Sequence, residues 1–115
     1  MRRLIIIPTY NERENIVKMV HRVMALELHF DLLVVDDGSP DGTAALVREL
    51  QAEYEGRLHI VERAGKLGLG TAYICGFRWA LERDYARIYE MDCDFSHNPD
   101  DLKRLDEMLQ ERDVA

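Results

Sequence analysis

At 115 residues, with 47% hydrophobic and 32% charged side chains, the chain has the length of one domain and enough apolar content for a core, which excludes an intrinsically disordered segment. Its net charge is -7 and no segment gathers Lys and Arg into a patch, which excludes nucleic acid as a partner bound through its backbone. The acidity also sets a condition: the overall field repels an anionic ligand, so holding one requires a metal ion or a few well-placed basic side chains.

The chain starts with the charges of a signal peptide, but only four apolar residues precede Pro8. A signal sequence needs about 7–15, so residues 4–7 read as a first strand, β-branched and buried on both faces, with Pro8 ending it. From residue 11 to 28, Ile16, Met19, Val20, Val23, Met24 and Leu28 recur at helical spacing. Residues 32–35 form a second buried strand, closed by the turn formers Asp36-Asp37-Gly38-Ser39-Pro40-Asp41-Gly42. A helix over 43–54 presents Leu46, Val47 and Leu50 on one face, and residues 58–61 are a third strand. The glycine-rich stretch 65–70 leads into a helix through Ala72, Cys75, Trp79 and Ala80. Residues 87–91 are a fourth strand. Asn98 and Pro99 then suit the cap and first position of a last helix with Leu102, Leu105, Met108 and Leu109 on its apolar face. No stretch approaches the ~20 apolar residues of a membrane span. Two cysteines, Cys75 and Cys93, are too few for a disulfide framework and read as reduced thiols of a cytoplasmic protein.

The order β-α-β-α-β-α-β-α predicts an α/β fold, a mostly parallel sheet with helices on both faces and right-handed crossovers. Segments 8–13, 36–43 and 92–98 then each follow the carboxyl end of a strand, the edge where open α/β sheets bind ligands.

Four segments on or beside that edge carry chemistry. Asp92 and Asp94 of Met91-Asp92-Cys93-Asp94 are an i, i+2 pair of hard oxygen donors suited to Mg2+ or Mn2+ bridged to a diphosphate; two solvated aspartates give the same pattern. A zinc site from Cys93, His97 and the aspartates matches no established spacing. The turn 36–43 offers carboxylates and amides to a ribose or base. Its likeness to a calcium loop fails, because Arg48 stands where a bidentate Glu is needed. Gly65-Lys66-Leu67-Gly68-Leu69-Gly70 is neither a Walker loop, since Lys66 precedes the glycines, nor a dinucleotide fingerprint, since Tyr73 takes the third glycine position. It permits close backbone approach, and Arg63 and Lys66 add local positive charge. In Pro8-Thr9-Tyr10-Asn11-Glu12, Tyr10 suits a nucleobase and Glu12 a ribose or base; equally, Asn11 caps the following helix.

Taken in order, Pro8–Glu12, Val34–Thr43, Lys66–Tyr73 and Met91–His97 resemble the family 2 glycosyltransferases, and within them the polyprenol (dolichol) phosphate mannosyltransferases. The resemblance implies a GT-A fold, of which residues 1–115 are the N-terminal, nucleotide-sugar-binding part. It implies nucleotide contacts at Pro8, Tyr10 and Glu12, at Val35 and Asp37 with Asp36 close by, and at Asp92, the Cys93 backbone and Asp94. Asp92 and Asp94 are the implied metal pair, with Mg2+ or Mn2+ as cofactor; Ser96 stands where some relatives carry Gln, and Cys93 where Ala is usual. The implied donor is GDP-mannose and the implied acceptor a polyprenyl phosphate, met by peripheral contact at the cytoplasmic membrane face. No amphipathic basic helix or lipidation signal in the chain speaks for that contact. Another donor, a hydroxyl acceptor, or a module that binds a nucleotide sugar without transferring it stand as alternatives, because family members continue well past this length. The residues name no catalytic base and no oligomeric state.

Overall fold

The computed structural model of the chain describes residues 2–26, 28–65 and 67–93. Within them the elements are β1 (Arg3–Thr9), α1 (Arg13–Met24), β2 (Phe30–Asp36), α2 (Thr43–Gln51), β3 (Leu58–Glu62), α3 (Leu69–Leu81) and β4 (Arg87–Glu90). All pairings are parallel and the strand order is β3-β2-β1-β4. The helix expected after Asn98 lies outside the described residues.

The apolar run of β1 is the reason for this arrangement. Leu4, Ile5, Ile6 and Ile7 are fully buried, and burial of each side chain contributes about 1.5–3 kcal/mol. Alternation sends Ile5 and Ile7, with Leu32 and Val34 of β2, to the face covered by α1 and α2, where Ile16, Met19, Val20, Val23 and Val47 close the core. It sends Leu4, Ile6, Leu33 and Val35 to the opposite face, against Ala72 and Ala80 of α3.

Pro8 does not end β1. The strand continues to Thr9, with Pro8 opposite Val35 and Thr9 opposite Asp36. The reason lies in the ladder: Ile6 O accepts from Met91 N at 3.1 Å, so Ile6 and Pro8 both face β4, and pairing with β4 stops at Ile6 opposite Glu90. The missing N–H of Pro8 therefore costs no ladder bond. Both early helices are shorter than their periodicity suggests. α1 stops at Met24 because the last turn tightens, Leu26 N donating to Val23 O, and Leu28 packs on the core from the connection. After α2 the chain turns through Tyr54 and Gly56, which has φ +81, into β3.

α3 approaches β1 through Gly76. A Cβ there would stand 2.7 Å from Ile6 Cγ2 and 2.9 Å from Ile6 Cδ1, with Ile6 wholly buried. Gly76→Ala is expected to destabilise by about 1–3 kcal/mol through overpacking, against roughly 1 kcal/mol recovered in helix propensity; urea unfolding would have to show a lower midpoint, and a raised one would contradict this packing. At the amino end of the sheet, the His59 ring lies 4.9 Å from Trp79, and its Nε2 is buried without a hydrogen-bond partner. Burial holds the His59 pKa below its ordinary value, against the pull of Asp31. The unfolded chain therefore takes up this proton first, and stability falls as pH drops below about 6.5. His59→Phe is expected to flatten that acid slope, read from urea midpoints at neutral and mildly acid pH; an unchanged slope would remove His59 from the account.

Candidate functional site

The chain steps from β1 to β2 to β3 in one direction, with α1 and α2 on one face, then returns across the sheet to β4 with α3 on the other. The direction reverses between β1 and β4, and ligands of open α/β sheets sit outside the carboxyl ends of such a pair. Of the segments expected to converge, 8–13 and 36–43 lie at this edge where β1 and β2 end, and of 92–98 the described residues Asp92 and Cys93 follow β4.

On the α1 side the edge is braced by hydroxyl groups. Asp36 is 1% exposed, and its Oδ1 accepts from Thr9 Oγ1 and from Ser39 Oγ, each at 2.7 Å, while its Oδ2 accepts from Ser39 N at 3.0 Å. Ser39 Oγ in turn accepts from Asn11 N at 2.9 Å, and Thr43 Oγ1 from Glu12 N at 3.0 Å. These bonds hold a tight turn in which Asn11 has φ +55, a conformation Asn tolerates better than most residues. Asn11 is thus not the cap of α1; Glu12 occupies that position and makes no side-chain cap. The capping is done from the neighbouring loop. Asp41 Oδ2 accepts from Arg13 N at 3.1 Å, and its Oδ1 accepts from Thr43 N at 3.0 Å and from the Thr43 hydroxyl, so one carboxylate serves the first residue of both α1 and α2. Desolvation pushes the Asp41 pKa up, but the Thr43 hydroxyl, the Arg13 and Thr43 amides and the Arg13 charge outweigh it and hold the carboxyl below its ordinary range. Tyr10 is 36% exposed on this turn.

On the α3 side the carboxylates are held differently. Asp37 Oδ1 accepts from Arg63 Nε at 2.6 Å and Asp37 Oδ2 from Leu67 N at 3.3 Å. Gly38, at φ +68, is pressed against the Arg63–Gly65 backbone, with a Cβ there 3.3 Å from two carbonyl oxygens. Beyond β4, Met91 and Cys93 are buried in the α1-side core, so the intervening Asp92 turns to the other face, where Tyr73 OH donates to its Oδ1 at 3.1 Å. Cys93 points away from Asp92.

Val35 is wholly buried against α3, so what it can offer a ligand is main chain only. Pro8 and Glu12 are half-buried at the same edge. Lys66 and Asp94 lie outside the described residues, and among the described residues no three His, Cys, Asp or Glu side chains gather into a metal cluster. Asp92 is the member of the expected pair that lies within the described residues. Motif reading gave Tyr73 and Asp41 no role of their own, and Arg63 only that of a local positive charge. Arg63 had a signal in its position directly after β3, at the same edge as Asp37.

The residue set at this edge can be compared with known proteins. The description Glycosyl transferase family 2 matches residues 4–115. The chain belongs to this family. It is 53% identical over 104 residues to the polyprenol monophosphomannose synthase of Mycolicibacterium smegmatis, covering 90% of this chain and 39% of that protein. It is 47% identical over 115 residues to the undecaprenyl-phosphate mannosyltransferase of Micrococcus luteus, covering 100% of this chain and 47% of that one. The chain thus spans less than half the length of these curated relatives. Among solved structures, the mannosyltransferase PcManGT from Pyrobaculum calidifontis in complex with GDP-Man and Mn2+ is 31% identical, with a TM-score of 0.62 over 69% of this chain and 24% of that one. S. aureus TarS 1-349 matches in fold, with a TM-score of 0.78 over 96% of this chain and 33% of its own, at 22% identity. The parallel sheet with helices on both faces is the GT-A glycosyltransferase fold of these neighbours.

Because Asp41 caps two helices at once, Asp41→Ala is expected to cost about 1–2 kcal/mol, more than a lone capping residue of the same exposure. Its contribution is present above a carboxyl's unfolded pKa and is lost as pH falls through the depressed folded value. Urea titrations at neutral pH, with parent and variant side by side, check this; equal midpoints would show that the double cap contributes nothing.

Proposed function

We propose that the chain is the donor-binding portion of a polyprenyl-phosphate mannosyltransferase that transfers mannose from GDP-mannose with inversion at the anomeric carbon. The observation that carries this reading is the extent of the likeness to the Micrococcus luteus mannosyltransferase: it runs through all four polar segments, including residues 94–97. The Pyrobaculum neighbour bound to GDP-Man and Mn2+ supports the choice of donor.

Within this reading Pro8, Tyr10, Glu12, the main chain of Val35, and Asp37 meet the nucleoside. Asp36 acts from beneath, since its oxygens are occupied in shaping the Ser39 turn. Lys66 adds positive charge toward the donor phosphates. Asp92 and Asp94, with the Cys93 backbone beside them, hold a divalent cation, Mg2+ or Mn2+. Asp92 fits that group: it is an oxygen donor at the switch point, and only its Oδ1 is engaged among the described residues, by Tyr73. When bound, the cation stabilises charge building on the departing diphosphate. A local cation is also what the electrostatics call for, because Asp36, Asp37 and Asp92 bring three carboxylates to an edge where Arg63 is already committed to Asp37.

The acceptor phosphate is a phosphomonoester with a second pKa near ~6, largely dianionic at neutral pH. It attacks without a general base, which accords with the absence of an assigned base. We place the acceptor at the cytoplasmic face of a membrane, with the protein in peripheral contact.

Asp92→Asn and Asp94→Asn are each expected to weaken GDP binding in Mn2+ by about tenfold or more, which is ~1.4 kcal/mol, while leaving the unfolding midpoint close to the parent's. Calorimetry on the chain with and without Mn2+ tests this. GDP affinity that ignores Mn2+ in the parent and in both variants would remove the metal from the reading.

A further inference from the structure

Arg63 has a place in the fold that its role as a local cation does not explain. It follows β3 directly, and its main-chain N–H donates to Asp36 O at 2.7 Å, so the residue is fixed to the end of β2 before its side chain is considered. The guanidinium then reaches three separate places. Nε donates to Asp37 Oδ1 at 2.6 Å, one terminal nitrogen to Thr71 Oγ1 at 3.0 Å, and the other to Gly68 O at 3.2 Å. The second oxygen of Asp37 accepts from Leu67 N, closing a ring of bonds from β2 through the glycine-rich loop to the first turn of α3.

Among its described residues, that loop is loosely packed. A Cβ built on Gly65, Gly68 or Gly70 would meet nothing within 4 Å. Thr71, Gly70 and Leu67 are exposed. The loop touches the rest of the fold closely at Gly38, where the Arg63–Gly65 backbone presses on the turn after β2. The Arg63 and Asp37 side chains are 11% and 8% exposed. An ion pair buried to that degree is a weak source of net stability, and its value lies in direction: the planar fork fixes where each partner sits.

We propose that Arg63 is a positioning residue that holds the glycine-rich loop and Asp37 together in the arrangement that receives the donor. This rests on the donor-binding reading above. The guanidinium does not touch the donor; it acts through Asp37, on the nucleoside side, and through the loop that carries the α3 N-terminus. The open space at Gly65 and Gly70 suits this, because both have room for a side chain that the fold leaves unused at the edge where the ligand enters.

The test is Arg63→Lys. Lysine keeps the charge and can pair with Asp37, but a point charge on a flexible stem cannot serve Thr71 and Gly68 in the same geometry. In the unliganded chain, amide exchange of residues 67–71 is expected to accelerate about tenfold in the variant, with exchange in β1 and β2 unchanged. GDP affinity in Mn2+ is expected to fall by about tenfold, with the unfolding midpoint close to the parent's. Thr71→Val, which removes one arm of the fork, should shift both readouts the same way by less. Should the lysine variant fold poorly, Arg63→Met combined with Asp37→Asn removes the pair without leaving a buried charge, and its loop exchange replaces the measurement. Loop exchange or GDP affinity equal to the parent's in the folded variant overturns the proposal. If the parent itself does not bind GDP, the donor reading fails on its own, and loop exchange still decides whether Arg63 holds the loop.

Discussion

β1 is paired on both sides, and the remainder of the structure follows from that. A strand whose residues Leu4 to Ile7 are sealed from water has to place its main-chain polar groups in ladders, and here it does so with parallel neighbours on either side. Parallel pairing brings the strand ends to one edge of the sheet. Thr9 stands opposite Asp36, whereas β4 ends lower, with Glu90 opposite Ile6, so Asp92 nears that edge only through the residues that follow its strand. The helices add the second constraint. With α1 and α2 on one face and α3 on the other, the crevice expected between β1 and β4 falls at the carboxyl edge of the core.

The two sides of that crevice solve the same problem with different chemistry. An edge rich in carboxylates must compensate them internally or repel itself apart. On the α1 side the compensation comes from neutral donors: the Thr9 and Ser39 hydroxyls around Asp36, and the amides at the start of two helices around Asp41. On the α3 side it comes from a guanidinium and an amide on Asp37, those of Arg63 and Leu67, and from the Tyr73 phenol on Asp92. Asp36, Asp37 and Asp41 are therefore engaged through both oxygens in holding the chain. Among the described residues Asp92 is engaged through one, which separates it in kind from its neighbours.

Much of the fold was legible because its signals are local. Four apolar runs, helical spacing between them and turn formers after β2 are enough to fix the order of elements and the edge where the motifs meet. The errors came where a local signal was overruled by the partner strand. Pro8 reads as a stop, yet the absent N–H faces a side where β4 has already ended, something only the register reveals. Asn11 reads as a cap, yet it takes the left-handed turn, because donors for α1 are answered by Asp41 from twenty-eight residues away. The proposed metal pair rests on a spacing that sequence alone displays, whereas the contacts of Arg63 and Tyr73 run across elements and no spacing encodes them.

The burial of Met91 and Cys93 on either side of Asp92 has a consequence for how this segment can vary. The direction of Asp92 is inherited from two core anchors, and strand alternation allows only two outcomes. One residue added or removed between Arg87 and Met91 would turn the carboxylate into the α1-side core and push a buried apolar side chain out to the crevice. Length here is therefore under tighter constraint than composition. The aim of Asp92 thus depends on the count of residues leading to position 93 more than on which small apolar side chain is buried there.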